Sequence, residues 1–476
     1  MSERCFEQEK LNSVLKRFDE RRTTNNDGCG YQYFKKGEIE LVPSMMCLMR
    51  IRALALDGYK NLSRLKIRLD DITALVALNN FGKSNILSGI DFGISFLKAG
   101  NEEKALMMAD SDLIPRNVNM VGRNFNYAME LSMELEGQEY IIQYGYQFAW
   151  KSSEKMEPEI LSEYLKVKLN ERGQKFSQLI SRNRQDAKYK ASEAGRCSSG
   201  ILVEKGELVL NKLRAYDSLY YAELIKELGG IRIYMENNLD VKSFYQPDPI
   251  IRKGLENEML NAENLPRIIF KLKTENEGNY ELLINVYKQL FPAIEDIIVR
   301  QYQLGEYTEG RLPEDSPFIL ANRFYVLYVK DRNLVAPIDF QMMSDGAKRV
   351  FMILTKIIIS RVSNIALIAI EEPENSVHPG LFKAYISIIH QLLDDCKVII
   401  TSHSPYIVSY LNPAWIRVGH SDDSGVAEFF CLKRNAQKRL EREAKEYNSS
   451  LGDYLFSLLS DPDDSILEYL EDDPDE

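Results

Sequence analysis

The stretch "VALNNFGKSN", residues 76–85, joins an apolar run to a polar turn that contains a glycine. A phosphate-binding loop follows the pattern G-x-x-x-x-G-K-[ST] between a strand and a helix. Gly82, Lys83 and Ser84 fit that pattern. Ala77 stands where the first glycine is usual, which matters only if the position needs a positive φ. The sequence therefore predicts a phosphate-binding loop that tolerates its alanine.

The residues of this loop have separate roles in the predicted site. Backbone N–H groups of the turn and of the helix start hold phosphate oxygens. Lys83 adds a positive charge at the β- and γ-phosphates, and the Ser84 hydroxyl is a ligand for Mg²⁺. The alternative is an ordinary strand–turn–helix with a chance match. The predicted nucleotide contacts here are Asn79, Asn80, Phe81, Gly82, Lys83, Ser84 and Asn85.

A second polar segment, "IALIAIEEPENSVHP" at residues 365–379, follows a buried strand pattern. It places Glu371 and Glu372 at the end of that strand. One carboxylate can hold the Mg²⁺ shell, and the next can polarise a water for in-line attack. An acidic loop that caps a helix is the alternative interpretation.

Two further segments carry polar residues at the ends of predicted elements. "ITSHSPYIV" places His403 after the next strand, where an imidazole can touch a γ-phosphate or serve structure alone. "MMSDGAKR" places Ser344 and Gly346 at a helix start, which is either an anion site or a simple N-cap. Four such features in this order indicate one nucleotide site.

The segments around these motifs indicate an α/β chain. Residues 49–70 alternate in polarity about a Gly-Tyr-Lys-Asn turn, which predicts a β-hairpin. A helix is expected from about 83 to 97, and helical segments at 215–228 and 280–291. Alternating strands and helices after residue 340 favour a largely parallel sheet. No heptad pattern persists over four repeats, so a long coiled coil is not expected.

We divide the chain into five predicted parts: an N-terminal extension (1–45), a first lobe with the phosphate loop (46–154), an inserted region (155–334), a second lobe (335–435), and a helical and acidic tail (436–476). The extension starts with helical spacing at Leu11, Val14, Leu15 and Phe18. It is either a docking arm or a leader upstream of a start at Met45, Met46 or Met49.

The overall charge argues against a protein that coats nucleic acid nonspecifically, and it leaves open a local basic groove. The net charge is −11, and residues 461–476 carry nine acidic residues and no basic ones, so the rest is nearly neutral. That tail is expected to be solvated or to bind a partner. Residues 181–196 carry five basic residues against two acidic ones, either as a flexible solvated loop or as a phosphate contact.

Other sequence features concern the location of the protein. No apolar run of 18 residues exists, so no membrane span is expected. The charged start "MSERCFEQEK" shows no signal peptide. Six scattered cysteines without a CxxC pair are typical of free thiols in a reducing cytoplasm.

Together, the motifs resemble those of ABC-type P-loop ATPases of the SMC-like branch. "ALNNFGKSN" resembles the Walker A loop, "SDGAKR" the signature motif, "IAIEEPE" the Walker B strand, "ENSVHP" the D-loop and "TSHSP" the switch-histidine loop. The wording is similar to that of the overcoming-lysogenization-defect family. It is also similar to the standalone ATPases of the anti-phage systems PARIS (AriA) and Septu (PtuA). The resemblance covers about residues 49–100 and 335–435.

This resemblance implies an ABC-type fold, in which a mixed sheet and an antiparallel β subdomain carry an inserted α/β region. ATP and Mg²⁺ are the implied cofactors, and each ATP is sandwiched between two subunits. The resemblance assigns Glu372 as general base and Glu371 as metal ligand. His403 is the switch histidine, and Ser344 and Gly346 complete the site of another copy.

The D-loop residues by the same resemblance are Asn375 and Ser376. Ala77 and Glu371 depart from the usual Gly and Asp, which suits slow hydrolysis and a long-lived ATP-bound assembly. No coupling glutamine is assigned, since Gln138 lies in a predicted hairpin turn.

Three functions remain from the sequence. The leading hypothesis is a cytoplasmic sensor and scaffold ATPase of an anti-phage system. It forms dimer-based oligomers up to a hexamer, responds to a phage protein or DNA, and controls a separate Toprim-type or HNH-type nuclease. Only 73 residues follow His403, which leaves little room for a Toprim domain in this sequence. The alternatives are an SMC-like DNA-repair ATPase and a non-hydrolysing ATP-locked clamp.

Overall fold

The protein is described by a computed structural model. The described residues are 31–35, 38–42, 49–109, 114–135, 137–151, 159–236, 245, 250–252, 264–304, 316, 318–363, 365–375, 377–421, 424–461 and 465–471.

The strands of the described part are named in chain order. They are β1 (Tyr31–Lys35), β2 (Glu38–Val42), β3 (Met49–Asp57), β4 (Leu65–Arg68), β5 (Ile72–Val76), β6 (Phe125–Leu135), β7 (Gln138–Ala149), β8 (Glu159–Leu169), β9 (Ser177–Arg182), β10 (Ala187–Lys190), β11 (Cys197–Gly200), β12 (Arg232–Glu236), β13 (Ile250–Arg252), β14 (Ile294–Gln303), β15 (Phe318–Leu320), β16 (Arg323–Asp331), β17 (Ile338–Asp339), β18 (Ile365–Glu371), β19 (Lys397–Ser402), β20 (Ile416–Ser421), β21 (Ala427–Leu432) and β22 (Leu470–Glu471).

The α-helices of the same residues are also named in chain order. They are α1 (Lys83–Lys98), α2 (Asn101–Ala109), α3 (Val209–Leu213), α4 (Ala222–Gly230), α5 (Leu265–Glu275), α6 (Glu277–Leu290), α7 (Asp345–Ser360), α8 (Pro379–Leu392), α9 (Pro405–Val408), α10 (Arg434–Glu446) and α11 (Leu451–Leu459).

A seven-stranded mixed sheet forms the centre of the fold, in the order β12-β18-β19-β5-β20-β21-β22. The pairings from β12 to β20 are parallel, and β20-β21 and β21-β22 are antiparallel. All five residues of β5 are buried, as expected for a central strand covered on both faces. The predicted largely parallel sheet is confirmed, and its carboxyl edge collects the ends of β5, β18 and β19.

The two faces of this sheet belong to two hydrophobic cores. Ile368 and Ile370 of β18 pack in the core that contains α7, α8 and α6. Leu367 and Ala369 of the same strand pack in the core that contains α1 and the antiparallel strands. Helix α7 is buried on all sides from Gly346 to its end, which is typical of a helix inside a protein.

An eight-stranded antiparallel sheet lies on the α1 side, in the order β11-β10-β9-β8-β7-β6-β3-β4. Strands β3 and β4 pair antiparallel, so the predicted hairpin is confirmed. The inner face of the sheet is aromatic: Phe125 and Phe148 pack against Phe92 of α1. Strands β7 and β8, which lie on either side of the domain boundary that we predicted at residue 154, pair with each other in this sheet.

Helices α5 and α6 and the three-stranded sheet β14-β16-β17 precede α7 in the chain. The helical segment predicted at 280–291 is confirmed by α6. The helix predicted at 215–228 is wrong over its first half, because α4 begins at Ala222. Asp217 and Ser218, which favour turns, precede it.

The expectation of a loop at residues 181–196 is wrong for residues 181–182 and 187–190, which lie in β9 and β10. Arg182 ends β9 with 8% of its surface exposed. Its guanidinium donates to the carbonyl oxygens of Glu204 at 3.0 Å, Lys205 at 2.9 Å and Glu207. Strand β10 follows within the same segment. These contacts bind Arg182 to the protein itself rather than leaving it for a phosphate.

The expectation of a solvated tail is wrong for residues 465–471. Ile466, Tyr469 and Leu470 are buried, and β22 extends the central sheet by pairing with β21. The apolar side chains outweigh the acidic composition in this segment. The rest of the tail beyond Asp461, and the helix predicted near Leu11, lie outside the described residues.

Three cysteines fall in the described part of the chain. Cys197, Cys396 and Cys431 are free thiols, as predicted. Cys5, Cys29 and Cys47 lie outside the described residues.

Candidate nucleotide-binding site

The loop between β5 and α1 has the backbone of an anion-binding turn. Asn80 and Gly82 have positive φ values of 68° and 86°. Gly82 is the N-cap of α1 and makes no side-chain capping bond. The first N–H groups of α1 therefore have no side-chain cap and point their dipole at the loop. Asn79, Asn80 and Ser84 are exposed here.

Lys83 is folded back onto its own loop. Its Nζ lies 2.6 Å from the carbonyl oxygen of Ala77 and 2.8 Å from that of Leu78. Burial lowers the pKa of Lys83, and the negative charges of Glu372 and Glu374 oppose that change. The ammonium is thus held at the loop, where it fits the charge of a phosphate group.

Ala77 needs no unusual backbone. Among the non-glycine residues that the structure describes, positive φ occurs at other positions. The methyl group of Ala77 is buried, and a Cβ built on Gly419 would lie 2.7 Å from it. Gly419 in β20 therefore leaves the space that the alanine fills. The departure from the usual glycine is accommodated by the neighbouring strand.

We predict that Ala77→Gly leaves the affinity for ATP within about threefold of wild type, a change below about 0.7 kcal/mol. It lowers the free energy of unfolding by about 0.5–1 kcal/mol, because glycine costs more backbone entropy. Titration with a fluorescent ATP analogue and thermal denaturation measure the two effects. Gly82→Ala is the contrasting variant, because the added Cβ would lie 2.6 Å from the Ala427 Cβ and residue 82 has a φ of 86°. A tenfold gain in affinity from Ala77→Gly would contradict this account.

Glu372 and His403 meet at the carboxyl edge of the central sheet. The His403 Nδ1 lies 2.5 Å from Oε1 of Glu372. The Asn375 Nδ2 donates to Oε2 of the same carboxylate at 2.6 Å. Both carboxylate oxygens are therefore engaged, while 32% of the side chain stays exposed. This arrangement fixes the carboxylate and leaves it access to a water molecule.

The two predicted metal ligands lie on α1 and β18. Ser84 is exposed in the first turn of α1, and Glu371 is the half-buried last residue of β18. Burial lowers the pKa of Lys60, and the negative charge of the nearby Glu371 carboxylate opposes that change. A hydroxyl and a carboxylate are suitable oxygen ligands for Mg²⁺. Among the described residues, no group of three or more His, Cys, Asp or Glu side chains could hold a metal ion.

Ser344 and Gly346 lie at the start of α7, separate from the loop. The Ser344 Oγ accepts a hydrogen bond from the Ala347 N–H at 3.3 Å, as an N-cap does. Ser344 is exposed. In the described part of the chain, no hydrogen bond or ion pair joins it to Lys83.

Several polar residues near the site were not predicted. Glu374 accepts from the Ser402 Oγ at 2.6 Å, and burial raises its pKa. The third glutamate of "EEPE" could have indicated Glu374 as a residue of the site. Asn61 accepts from the Asn85 Nδ2 at 2.8 Å. This pairing spans 24 residues, and no local pattern indicates it.

Three other residues from the sequence analysis have these outcomes. Phe81 is half-buried in the loop, and Gln138 is exposed at the start of β7. Ser376 lies outside the described residues. No helix among the described residues has both the length and the apolarity to cross a membrane.

Solved structures similar to this chain include SMC head domains. An SmcHead bound to the C-winged helix domain of ScpA has 15% identity over 82% of this chain and 99% of its own, with a TM-score of 0.47. The SMC head domain from Thermotoga maritima has 14% identity over 81% and 99%, with a TM-score of 0.36. A Smc head domain with an extended coiled coil, bound to the C-terminal domain of ScpA derived from Pyrococcus furiosus, has 14% identity over 84% and 100%, with a TM-score of 0.42.

The fold class predicted from the motifs is confirmed. The chain has the predicted mixed sheet and antiparallel β subdomain, and the predicted loop lies between β5 and α1. In the described part of the chain, no helix exceeds the 16 residues of α1 and α7, so it contains no long coiled coil.

No curated protein matches this chain. Residues 72–409 match the family described as AAA domain, putative AbiEii toxin, Type IV TA system. This match covers more than two thirds of the chain, from β5 through the His403 segment, and the chain belongs to that AAA-domain family.

Proposed function

We propose that this chain is an ATP-hydrolysing sensor and scaffold of a bacterial anti-phage defence system. In this proposal it forms dimer-based oligomers in the cytoplasm, up to a hexamer, and holds or releases a separate nuclease effector. The observation that carries the ATPase is the oriented carboxylate of Glu372, which shares the sheet edge with the Lys83 loop. The toxin–antitoxin description of the family supports the defence role.

The loop supplies the phosphate contacts. The N–H groups at the start of α1 are placed for phosphate oxygens, and Lys83 can exchange the carbonyl oxygens of Ala77 and Leu78 for them. Ser84 and Glu371 are the residues that would hold Mg²⁺. When bound, that ion neutralises phosphate charge and orients the phosphates.

Glu372 is the proposed general base. Its carboxylate can accept a proton from a water molecule as that water attacks the γ-phosphorus. Asn375 holds Oε2, and His403 contacts Oε1. His403 is thereby placed to respond to a γ-phosphate and to transmit that contact to the base.

The second half of the site is proposed to come from another copy. Ser344 and Gly346 lie at the start of α7, where helix N–H groups form an anion site. Because Ser344 is exposed, and no hydrogen bond or ion pair among the described residues joins it to Lys83, it is available to a second subunit. This supports a dimer in which each copy completes the other's site.

The proposed effector is a Toprim-type or HNH-type nuclease, and the trigger is a phage protein or DNA. An SMC-like DNA-repair ATPase remains the alternative function. In that function, DNA alone stimulates ATP hydrolysis, and no partner protein is needed. A non-hydrolysing clamp differs in retaining bound ATP without turnover.

The test is co-purification of the chain from its native operon, as wild type and as Glu372→Gln. We expect an ATP-containing oligomer that carries the nuclease encoded by a neighbouring gene. The variant should retain this nuclease more firmly, because ATP hydrolysis no longer releases it. Native mass spectrometry measures the mass, and ion-exchange chromatography of the extracted nucleotide measures ATP. A lone dimer whose ATPase activity rises with DNA alone would favour the repair function.

A further inference from the structure

Arg349 of α7 contacts the loop that follows β18 from behind. It is 5% exposed. Its Nη1 donates to the carbonyl oxygen of Glu372 at 2.9 Å and to that of Asn375 at 3.2 Å. Its Nη2 donates to the carbonyl oxygen of Glu371. One planar guanidinium, whose donors have a fixed geometry, thus holds three carbonyl groups of the loop 371–375.

That loop has a strained backbone. Glu372 has a φ of 48°, in the left-handed region that non-glycine residues rarely adopt. Such a conformation costs on the order of 1–3 kcal/mol and persists only where the surroundings enforce it. The Glu372 N–H donates to the Thr401 carbonyl oxygen at 2.9 Å, and Arg349 holds the Glu372 carbonyl on the other side. The placement of the carboxylate therefore depends on these backbone contacts.

Arg349 is itself fixed by Glu236, the last residue of β12. The Arg349 Nε lies 3.1 Å from Oε1 of Glu236, and the side chain of Glu236 is fully buried. Its Oε2 is buried without a hydrogen-bond partner among the described residues. Burial raises the pKa of Glu236 to about 7, and the charges of Arg349 and Lys356 oppose the rise.

The buried ion pair of Glu236 and Arg349 is not expected to stabilise the fold by itself. Burying two charges costs about as much as their attraction returns, and apolar residues of similar volume often stabilise as well or better. Glu236 pairs in register with Ile370 at the edge of an apolar sheet, where another aliphatic residue would suit the core. We therefore infer that the carboxylate of Glu236 serves to orient Arg349.

We propose that Glu236 and Arg349 are positioning residues that hold the loop 371–375 so that the Glu372 carboxylate faces the nucleotide. The proposal rests on the proposed ATPase function of Glu372. It also links two parts of the site, because Arg349 lies in the first turns of α7, whose N-cap is Ser344. A contact made by Ser344 with a second copy would move the base through Arg349.

Hydrolysis gives the first test, with Glu236→Gln and Arg349→Lys in the full chain. Both keep a similar shape, but one removes the negative charge and the other the planar fork. We expect kcat to fall at least about tenfold, since a 1 Å misplacement of a reacting group costs about a hundredfold. The Kd of a fluorescent ATP analogue should stay within about twofold of wild type.

A control variant separates positioning from a general loss of charge. Arg361 follows α7 and donates to the carbonyl oxygen of Leu392 at 3.3 Å, away from the loop. Arg361→Lys should leave kcat unchanged. In a Glu372→Gln background, Arg349→Lys should cause less than about a twofold further loss, because it acts through Glu372.

Hydrogen–deuterium exchange gives a second test that needs no ATPase activity. In the nucleotide-free protein, amides of residues 371–375 should exchange at least about tenfold faster in Glu236→Gln than in wild type, as local opening becomes easier. Unchanged exchange in this loop, or equal acceleration across β5 and α1, would overturn the proposal. A wild-type protein that hydrolyses no ATP but shows the loop effect would overturn the proposed function and leave the positioning intact.

Discussion

Glu372→Gln is expected to lower the rate of ATP hydrolysis by about 10²–10⁴-fold, the contribution of a general base in a proton-transfer step. The amide keeps the shape of the carboxylate and can still hydrogen-bond to His403 and Asn375. It cannot accept a proton from the attacking water. Steady-state phosphate release at saturating ATP measures the loss. Nucleotide affinity should stay within about threefold of wild type, because the proposed phosphate contacts come from the Lys83 loop.

The control for this variant removes the same charge from the same sheet. Glu428 is exposed in β21, and Glu428→Gln should hydrolyse ATP at the wild-type rate. The Glu372→Gln protein should also accumulate as an ATP-bound oligomer in size-exclusion chromatography with ATP and Mg²⁺. A variant that retains more than about a tenth of the wild-type rate would show that Glu372 is not the base.

The sequence predicted the elements that carry the site, because each motif follows a strong local pattern. A continuous apolar run predicts a strand buried on both faces, and β5, β18 and β19 have that burial. The ends of parallel strands meet at one edge, which brings Glu372 near His403. The Ser344 N-cap could likewise be predicted from a serine just before a helix with apolar spacing.

Other features depend on contacts that no local pattern encodes. Glu236 and Arg349 are 113 residues apart, and Glu236 lies where the sequence around it shows only a short strand. The accommodation of Ala77 depends on Gly419, which belongs to another strand. The sequence at 181–196 favours a loop because charged side chains are usually exposed. In the fold, Arg182 instead donates hydrogen bonds to backbone carbonyl groups. Tertiary contacts decided these positions.

Lys83→Ala is expected to weaken ATP binding by about 10–100-fold, since a hydrogen bond to a charged group contributes about 1.5–3 kcal/mol. The loss is in affinity rather than in the proton-transfer step. Isothermal titration with ATP at constant Mg²⁺ measures it. The control is Lys98→Ala, which removes the same charge at the exposed opposite end of α1 and should leave the affinity unchanged.

The pH dependence of ATP binding gives the same lysine a second test. Burial lowers the pKa of Lys83, so its ammonium loses a proton at a lower pH than an ordinary lysine does. The affinity of the wild-type protein should therefore fall as pH rises, earlier than with a solvent-exposed lysine, and Lys83→Ala should lack that fall. The variant should also be less stable without nucleotide, because the carbonyls of Ala77 and Leu78 lose their donor. If Lys83→Ala bound ATP within about threefold of wild type with the same pH profile, the loop at residues 76–85 would not be the phosphate site.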